Sequence, residues 1–408
     1  MLSRPPKGRQ EGGTTGRCHG RVGSSERRGG EGLTPARPAR TSLRSPDGRP
    51  DVTRGRFAVP RRTPRPTPLA HPTRSGDPVQ LPGPARAATT LAAALLTAAA
   101  LAHPAGAAGA AAPAPAVPGL KVLTYNTFLM STNLYPNWGQ RHRAEAIPAA
   151  GFFQGQDVVV LQEAFDNDAS EVLKSRAADR YPYQTPVVGR SKDGWDATGG
   201  AYSALTPEDG GVTVLSKWPI VRKEQVVYKD ACGSDKWSNK GFAYVVLDVG
   251  GTRVHVVGTH TQSTDGGCAA GEAAADRARQ FRQIDAFLDA KRIPASEQVI
   301  VAGDLNVDSR SAEFASLLAD ADLDPAEARD GHPYSFDTKE NSIAAYRYPN
   351  DAREDLDHVL HRKGHVRPAG WTNTVVQERS APWTVSSWGK EYTYTDLSDH
   401  YPVVAGGR

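Results

Sequence analysis

The sequence predicts an α/β fold in which a mixed system of β-sheets is covered by helices. Two observations support this prediction. Short apolar runs rich in β-branched residues recur along the chain after residue 119, and each has the length of a strand. Segments with helical periodicity lie among them, but strands and helices alternate only in part. A mixed sheet system therefore fits this order better than a purely parallel sheet.

Seven apolar runs are predicted strands, at 120–125, 158–161, 212–215, 243–249, 254–258, 299–302 and 356–360. Three helices are predicted, at 141–154, 274–291 and 311–320. In the second helix, Phe281, Ile284 and Leu288 recur at spacings of three and four, which places them on one face. Pro148 interrupts the first helix, and Ser309 or Ser311 would cap the third.

The first 86 residues differ in composition from the rest of the chain. They carry 18 basic and six acidic residues, a net charge of +12, whereas the remainder has 31 basic and 39 acidic residues, a net charge of −8. This segment contains a single aromatic residue, Phe57. It cannot bury enough apolar surface to offset the entropy of folding, so we expect residues 1–86 to be a disordered basic leader.

Residues 87–117 read as the core and cleavage region of a secretory signal peptide. The apolar stretch 87–102 is about 16 residues long, which is short of the roughly 20 that a membrane-spanning helix needs, and small residues follow it. An uncleaved N-terminal anchor is the alternative. Because the preceding basic region is unusually long, we expect the true start to lie nearer residue 59 or 79.

Residues 118–408 form the remaining domain, which is somewhat large for a single core. It contains two cysteines, Cys232 and Cys268, on either side of a predicted hairpin at 242–260. For an exported chain a disulfide between them is the default, and two free buried thiols are the alternative.

Several predicted strands end in polar residues that can bind a metal or transfer a proton. Side chains at the ends of neighbouring strands converge at one sheet edge, where open sheets bind ligands. The residues concerned are Asn126, Glu163, His260, Asp304, Asn306, Asp399 and His400.

These residue types favour hydrolytic phosphoryl transfer. Glu163, Asn126 and the nearby aspartates offer only oxygen ligands, which suit Mg²⁺. Two histidines offer a general base and a contact for a phosphoryl oxygen. The chain has no phosphate-binding Gly loop with Lys and no Gly-x-Ser-x-Gly, so kinase and serine-hydrolase functions lose support.

Each residue alone also has a structural explanation. Glu163 could be a charge at a strand end, and Asp304 could belong to a turn. His400 could be an interior histidine, and Asp357 could lie on a solvated strand edge. The ordered combination is far more specific than any single member.

The ordered motifs resemble those of the exonuclease–endonuclease–phosphatase superfamily. They are Tyr-Asn at 125–126, Gln-Glu at 162–163, Gly-Thr-His at 258–260, Gly-Asp-Leu-Asn at 303–306, Leu-Asp-His-Val-Leu at 356–360 and Ser-Asp-His-Tyr-Pro at 398–402. Further stretches resemble the secreted bacterial sphingomyelinases C. These are Gly-Trp-Asp at 194–196, Thr-Pro-Glu-Asp-Gly-Gly-Val at 206–212, Leu-Ser-Lys-Trp-Pro-Ile at 215–220, Ser-Asn-Lys-Gly-Phe at 238–242 and Trp-Thr-Val-Ser-Ser-Trp at 383–388.

The resemblance implies a four-layer α/β/β/α sandwich of the deoxyribonuclease-I-like type. It also implies cleavage of sphingomyelin to ceramide and phosphocholine, with Mg²⁺ as the cofactor and Mn²⁺ or Co²⁺ as substitutes. The cysteines Cys232 and Cys268 match the family disulfide. We expect a monomer that acts on sphingomyelin-containing membranes and has no stable nucleic-acid partner.

The resemblance also implies roles for individual residues. Glu163 would hold the central metal with Asn126 nearby, and His400 would be the general base, with Asp399 beside it. On physical grounds we expect His400 to keep a pKa near its ordinary value of about 6.5, so that it can take a proton from water near neutral pH. His260 would neutralise the developing phosphoryl charge. The remaining assignments are that Asp304 and Asn306 order water, metal and phosphate, that Asp357 orients a catalytic His, and that Glu208 and Asp209, joined by Asn167, form an additional metal site. The family often has Tyr where this chain has His358.

Membrane contact is expected from the aromatic segment 381–394, through Trp383 and Trp388. The resembling enzymes present an aromatic pair in a hairpin here, whereas Gly389 follows Trp388 in this chain. The alternative is that both tryptophans belong to the core.

Two other functions compete with the one that the resemblance implies. A secreted nuclease of the same superfamily would share the metal and histidine set, although a domain at −8 attracts DNA weakly. A non-catalytic membrane-binding protein would not need the full acid–base set.

Overall fold

The structure is a computed structural model that describes residues 116–387 and 389–407. The predicted leader 1–86 and all but the last two residues of the predicted signal region 87–117 lie outside the described residues. In the described part, the strands are β1 Lys121–Asn126, β2 Val158–Gln162, β3 Tyr183–Gln184, β4 Ala197–Gly200, β5 Thr213–Ser216, β6 Ile220–Val227, β7 Gly241–Val249, β8 Thr252–His260, β9 Gln298–Asp304, β10 Leu323–Asp324, β11 Ala328–Gly331, β12 Asp357–Arg362, β13 Thr372–Val375, β14 Trp383–Ser387, β15 Lys390–Tyr394 and β16 Val403–Gly406. The helices are α1 Gln140–Ala146, α2 Asn167–Ala177, α3 Glu272–Lys291, α4 Ala312–Asp320 and α5 Ser342–Arg347.

The described strands form two seven-stranded mixed sheets and a separate hairpin. The first sheet has the order β11-β13-β16-β1-β2-β5-β3, and the second has the order β10-β12-β9-β8-β7-β6-β4. Strands β14 and β15 pair only with each other. Parallel pairs such as β1–β2 and β8–β9 occur beside antiparallel pairs in both sheets, as the partial alternation of elements predicts.

The two sheets pack face to face, and helices cover their outer faces. Valines of β1, β2 and β5 share one buried cluster with valines and alanines of β7, β8 and β9. The sheets approach so closely that a Cβ on Gly258 would lie 2.7 Å from Cγ1 of Val160. Helices α1 and α2 bury their apolar residues against the first sheet, and α3 and α4 bury theirs against the second. The four-layer α/β/β/α sandwich is therefore confirmed.

All seven predicted strands and all three predicted helices are present, with ends that differ by one to three residues in most cases. The region 141–154 is helix α1 followed by two 3₁₀ turns, Ile147–Ala149 and Gly151–Phe153, because Pro148 prevents the α-helix from continuing. Ser311 occupies the N-cap position of α4, although its side chain makes no capping hydrogen bond in the described structure. No helix in the described part of the chain has the length and apolar composition needed to cross a bilayer.

A disulfide joins Cys232 to Cys268, with 5.2 Å between the two Cα atoms. The hairpin β7–β8 lies between the two cysteines in the sequence and returns the chain to the edge from which it started. The bond closes a loop over a sequence separation of 36 residues.

We expect that replacing both cysteines by serine lowers the free energy of unfolding by about 3–4 kcal/mol, because the unfolded chain regains the entropy of the open loop. Guanidinium unfolding of the oxidised protein and of the Cys232→Ser/Cys268→Ser variant measures this difference. An unchanged midpoint would show that the bond adds no stability.

Candidate functional site

Six of the residues predicted at the site line a single cavity with a volume of about 630 Å³. They are Glu163, His260, Asp304, Asn306, Asp399 and His400. The residues come from both sheets, at the edge where β2, β8 and β9 end. The structure therefore brings together side chains that are up to 237 positions apart in the sequence.

The register of the second sheet places three of the acid–base residues in one row. His260 on β8 pairs with Asp304 on β9, and Asp304 pairs with Asp357 on β12. Strand β12 runs antiparallel to β9, so Asp357 lies at this edge because it begins its strand rather than ending it. The row explains why Asp357 joins the other strand-end residues.

Asp304 is the centre of the hydrogen-bond network. Its Oδ2 atom accepts a hydrogen bond from Asn126 Nδ2 at 3.0 Å, and lies 3.5 Å from His260 Nε2 and 3.8 Å from His400 Nε2. Burial opposes ionisation of Asp304, but the charge of His400 and the hydrogen bonds donated by Asn126 and by the backbone N–H of Asn306, at 3.0 Å, lower the pKa of the carboxyl group. Asp304 is therefore ionised between the two histidines.

His400 is oriented by Asp357. Its Nδ1 atom lies 2.8 Å from Asp357 Oδ2, which leaves Nε2 directed toward the Asp304 side. Burial disfavours the imidazolium, yet Asp357, Asp304 and Asp399 together raise the pKa of His400 well above 6.5. The expectation of an ordinary pKa for His400 is therefore wrong, because three carboxylates surround the ring.

His260 has the opposite electrostatic setting. Burial, and then the adjacent ammonium group of Lys240, lower the pKa of His260 to about 3. Lys240 Nζ lies 3.2 Å from His260 Nε2, and an ammonium group can only donate, so Nε2 accepts and the ring is neutral. The positive charge at this place belongs to Lys240, and His260 contributes hydrogen bonds instead of charge.

Glu163 directly follows β2 and has a left-handed backbone with φ of 53°. Gly211 makes this turn possible, because a Cβ on Gly211 would lie 3.1 Å from the Cα atom of Glu163. A positive φ is costly for a residue with a side chain and is characteristic of functional positions. The turn directs the Glu163 carboxylate into the cavity.

The donor set at Glu163 fits a hard divalent cation. Burial and repulsion from Asp399 raise the pKa of Glu163 to about 7, although Lys240, His400 and Asn126 oppose the rise. A divalent cation would relieve this repulsion, and carboxylate and amide oxygens are the ligands that Mg²⁺ prefers. Asp304, Asp357 and His400 also place ligand atoms within 4.8 Å of one another, but the bond between His400 and Asp357 occupies two of those atoms.

Asn306 is held by a backbone carbonyl group, and Asp399 lies against the side chain of Ser398. Asn306 has φ of 50°, and its Nδ2 atom donates to the carbonyl oxygen of Thr261 at 3.1 Å. Ser398 Oγ lies 3.2 Å from Asp399 Oδ1 and donates to the carbonyl oxygen of Asn126 at 2.7 Å. Burial raises the pKa of Asp399, while His400 lowers it.

Glu208 and Asp209 lie outside the central cavity. With Asn167 they line a neighbouring cavity of about 180 Å³. Asp209 is already paired, because Arg190 Nε donates to its Oδ2 atom at 2.8 Å. Burial, and then the charge of Asp209, raise the pKa of Glu208 to about 7. Of this acidic pair, Glu208 is therefore the better placed to bind a cation.

The structure tests one of the two tryptophans that were predicted to contact the membrane. Trp383, predicted to contact the membrane, is only 7% exposed and packs with Phe128, Ile343 and Tyr394, so this prediction is wrong. Its Nε1 atom donates to the carbonyl oxygen of Asp396, which satisfies the indole inside the core. Trp388 lies outside the described residues.

His358 is separated from the site by its place in β12. Successive side chains of a strand point to opposite faces, so His358 faces away from Asp357 and packs on Phe314 of α4. Its Nε2 atom lies within hydrogen-bonding distance of the carbonyl oxygens of Val307 and Asp355, and burial lowers its pKa to about 3. It is a structural histidine.

Sequence reasoning missed the cationic side of the site. Lys240 is buried, bonded to Asp235 at 2.9 Å and in contact with His260. The sequence-based prediction included it only as a member of the motif at 238–242 and gave it no role. Arg347 on α5 stacks on aromatic rings, including those of Tyr135 and Tyr348, and helps line the cavity that reaches Glu163. The motif carried a signal for Lys240, whereas nothing in the sequence pointed to Arg347.

The sequence of this chain is similar to those of known proteins. The model of the Endonuclease/Exonuclease/phosphatase family matches residues 123–400. A phospholipase C from Staphylococcus aureus is 46% identical over 286 residues, covering 70% of this chain and 86% of the relative. A sphingomyelinase C from Bacillus cereus is 46% identical over 293 residues, covering 70% and 88%.

Solved structures agree with these relatives. The crystal structure of sphingomyelinase C from Streptomyces griseocarneus is 83% identical with a TM-score of 0.71, covering 72% of this chain and 100% of that chain. A mutant beta toxin from Staphylococcus aureus with bound magnesium ions is 45% identical with a TM-score of 0.70, covering 71% and 100%.

Proposed function

Because the chain belongs to the endonuclease/exonuclease/phosphatase family and, within it, to the sphingomyelinases C, we propose that it is a secreted, Mg²⁺-dependent phosphodiesterase. Its substrate is sphingomyelin, and its products are ceramide and phosphocholine. The observation that carries this proposal is the single cavity shared by Glu163, His260, Asp304 and His400. The predicted leader supports export, since residues 87–117 would act as the signal region for the domain 118–408.

His400 is the general base in this proposal. Asp357 accepts the Nδ1 proton at 2.8 Å and so fixes the tautomer in which Nε2 carries the lone pair. That atom takes a proton from the water that attacks phosphorus. The three surrounding carboxylates then stabilise the imidazolium that forms.

Stabilisation of the phosphoryl oxygens falls to the opposite side of the cavity. Lys240, which lines the adjoining cavity that also contains Glu163, supplies a positive charge, and His260 Nε2 accepts a hydrogen bond from it and so orients it. Asn306 supplies a neutral amide group. Glu163 and Asn126 would hold Mg²⁺, which supplies a Lewis acid for the phosphodiester and a template for substrate and water. Asp304 accepts hydrogen bonds from the side chain of Asn126 and from the backbone N–H of Asn306, and these bonds fix the positions of the three residues.

The proposed reaction is tested by phosphocholine release from liposomes of defined lipids. We expect release from sphingomyelin with Mg²⁺, loss of release with EDTA, and recovery when Mg²⁺, Mn²⁺ or Co²⁺ is added back. A plasmid incubated in parallel separates this function from a nuclease. Nicking of the plasmid without release of phosphocholine would replace the proposal with the nuclease function.

Membrane contact is proposed for the hairpin β14–β15 and the aromatic residues beside it. Tyr346 on α5 is half exposed and packs on Tyr392 of β15 with ring centroids 5.2 Å apart. Tyrosine favours the membrane–water interface. Trp388 stands in the sequence between the two strands of this hairpin.

We expect Trp388→Ala to weaken binding to sphingomyelin liposomes about tenfold while a water-soluble phosphocholine ester is cleaved normally, because only the interface is lost. Liposome sedimentation and the soluble assay measure the two effects. Trp383→Ala serves as the contrast, since loss of this buried ring should destabilise the fold by about 3–5 kcal/mol. Equal losses on both substrates for Trp388→Ala would contradict the interfacial role.

A further inference from the structure

Three large apolar side chains are strongly exposed beside the site. Leu205 is 94% exposed, Leu134 is 68% exposed and Trp237 is 60% exposed. Leu134 and Trp237 line a cavity of about 370 Å³ that reaches Glu163, and Leu205 stands two residues before Pro207, which also lines it. We refer to Leu134, Leu205 and Trp237 as the apolar rim.

The segments that carry Leu205 and Trp237 are tied together by backbone hydrogen bonds. Glu208 N donates to the carbonyl oxygen of Trp237 at 3.2 Å, and Asn239 N donates to that of Glu208 at 3.0 Å. The Asn239 side chain also bonds both the amide and the carbonyl group of Ser203. The exposure of the two side chains therefore belongs to a fixed arrangement.

The third member of the rim stands on another loop of the same cavity. Leu134 N and Tyr135 N both donate to the carbonyl oxygen of Ser131, which forms a tight turn. Further along the chain, Trp138 contacts Tyr346, so this wall continues toward the hairpin β14–β15. The cavity mouth thus has apolar residues on several of its loops.

We propose that the apolar rim is a second contact with the lipid bilayer, separate from the hairpin β14–β15. This inference rests on the proposed function, in which a lipid headgroup enters the cavity while its chains remain in the bilayer. Side chains at the mouth must then meet the bilayer surface, where burying exposed apolar area is favourable.

The chemistry of the rim suits a phosphocholine lipid surface. Trp237 combines a large apolar ring with a polar N–H group, as interfacial residues do. The exposed Lys236 places its ammonium group 5.6 Å from the Trp237 ring, where it can reach lipid phosphates while the ring enters the interface. The exposed side chains of Leu134 and Leu205 add further apolar area.

The test uses binding to phosphatidylcholine vesicles, which measures membrane contact without turnover of sphingomyelin. We expect Leu205→Ser and Trp237→Ala each to weaken vesicle binding about tenfold, and the double variant about a hundredfold. Trp237→Phe should retain most of the binding, because the aromatic surface remains. Sedimentation of the full chain with increasing lipid gives the partition constants.

Val221→Ser is the matched control. Val221 is also an exposed apolar residue, at 49%. It lies on β6, six residues before Val227, which ends this strand beside the site. The two residues are therefore about 20 Å apart along the strand. We expect its vesicle binding to equal that of the unaltered chain. Equal weakening by Val221→Ser would show a non-specific loss and would overturn the proposal.

Cleavage of a water-soluble phosphocholine ester completes the design. Leu205→Ser should cleave it within about twofold of the unaltered chain, since Leu205 lines neither of the two cavities that contain Glu163. Unchanged vesicle binding, or equal loss of binding and soluble activity, would overturn the second contact. An unaltered chain that binds vesicles through the rim but releases no phosphocholine would reject the proposed function alone.

Discussion

Replacing His400 by alanine is expected to lower turnover by about 10²–10⁴-fold, which is the usual contribution of a general base. The ring is buried, and Asp357 holds its Nδ1 atom at 2.8 Å, so the substitution removes the oriented Nε2 atom that accepts the proton. The loss should appear equally on sphingomyelin liposomes and on a water-soluble phosphocholine ester. Release of phosphocholine from both substrates measures it.

Controls separate this loss from unfolding. His142→Ala removes an exposed histidine that does not line the cavity, and its activity should be unchanged. Circular dichroism and the unfolding midpoint of His400→Ala should show an intact fold. Near-normal turnover by folded His400→Ala would falsify the assignment of this residue as the base.

The carboxylates around His400 also predict the pH dependence. A protonated imidazole cannot accept a proton, so activity should fall as the pH drops through the raised pKa of His400. Asp357→Asn removes a negative charge that favours the imidazolium, so the pKa should fall and the acidic limb should move to lower pH. A limb that moves to higher pH would contradict this assignment of charges.

The interior of the fold was predictable because its strands are apolar and β-branched. The runs at 158–161, 243–249 and 299–302 become β2, β7 and β9, which are buried between layers. The edge strands β4 and β11 were missed, since Ala-Thr-Gly-Gly and Ala-Arg-Asp-Gly carry no apolar pattern. Strand β6 was missed because the charged and polar run 222–225 interrupts its apolar pattern, although Glu224 and Gln225 are buried.

The candidate site was predictable in its residues but not in its electrostatics. Strand-end positions identified Glu163, His260 and Asp304 because a strand's end fixes where its last side chain lies. The raised pKa of His400 and the lowered pKa of His260 depend on neighbours from distant strands, among them Lys240 beside His260. Burial of Trp383 likewise depends on packing that a local sequence pattern does not contain.

Replacing Glu163 by glutamine is the second change with a large expected effect. The variant keeps the size of the side chain but removes the carboxylate that would hold the cation. Polarisation of the phosphodiester by that cation would stabilise the transition state by several kcal/mol. We expect turnover at saturating sphingomyelin to fall about 10²–10³-fold at the Mg²⁺ concentration that saturates the unaltered chain. Assays over a range of Mg²⁺ concentrations measure the loss and show whether excess cation restores activity.

Glu208→Gln is the matched contrast, because it makes the same chemical change at an acidic residue outside the central cavity. Glu208 shares with Glu163 a pKa raised to about 7 by burial and a neighbouring acid, but it does not line the cavity that contains His400. Replacing Glu208 should therefore lower turnover much less than replacing Glu163 does. Calorimetric titration with Mg²⁺ in the absence of lipid gives a readout independent of turnover, in which Glu163→Gln should lose the tightest binding event. A larger loss for Glu208→Gln in both measurements would place the essential cation at the cleft edge instead of beside His400.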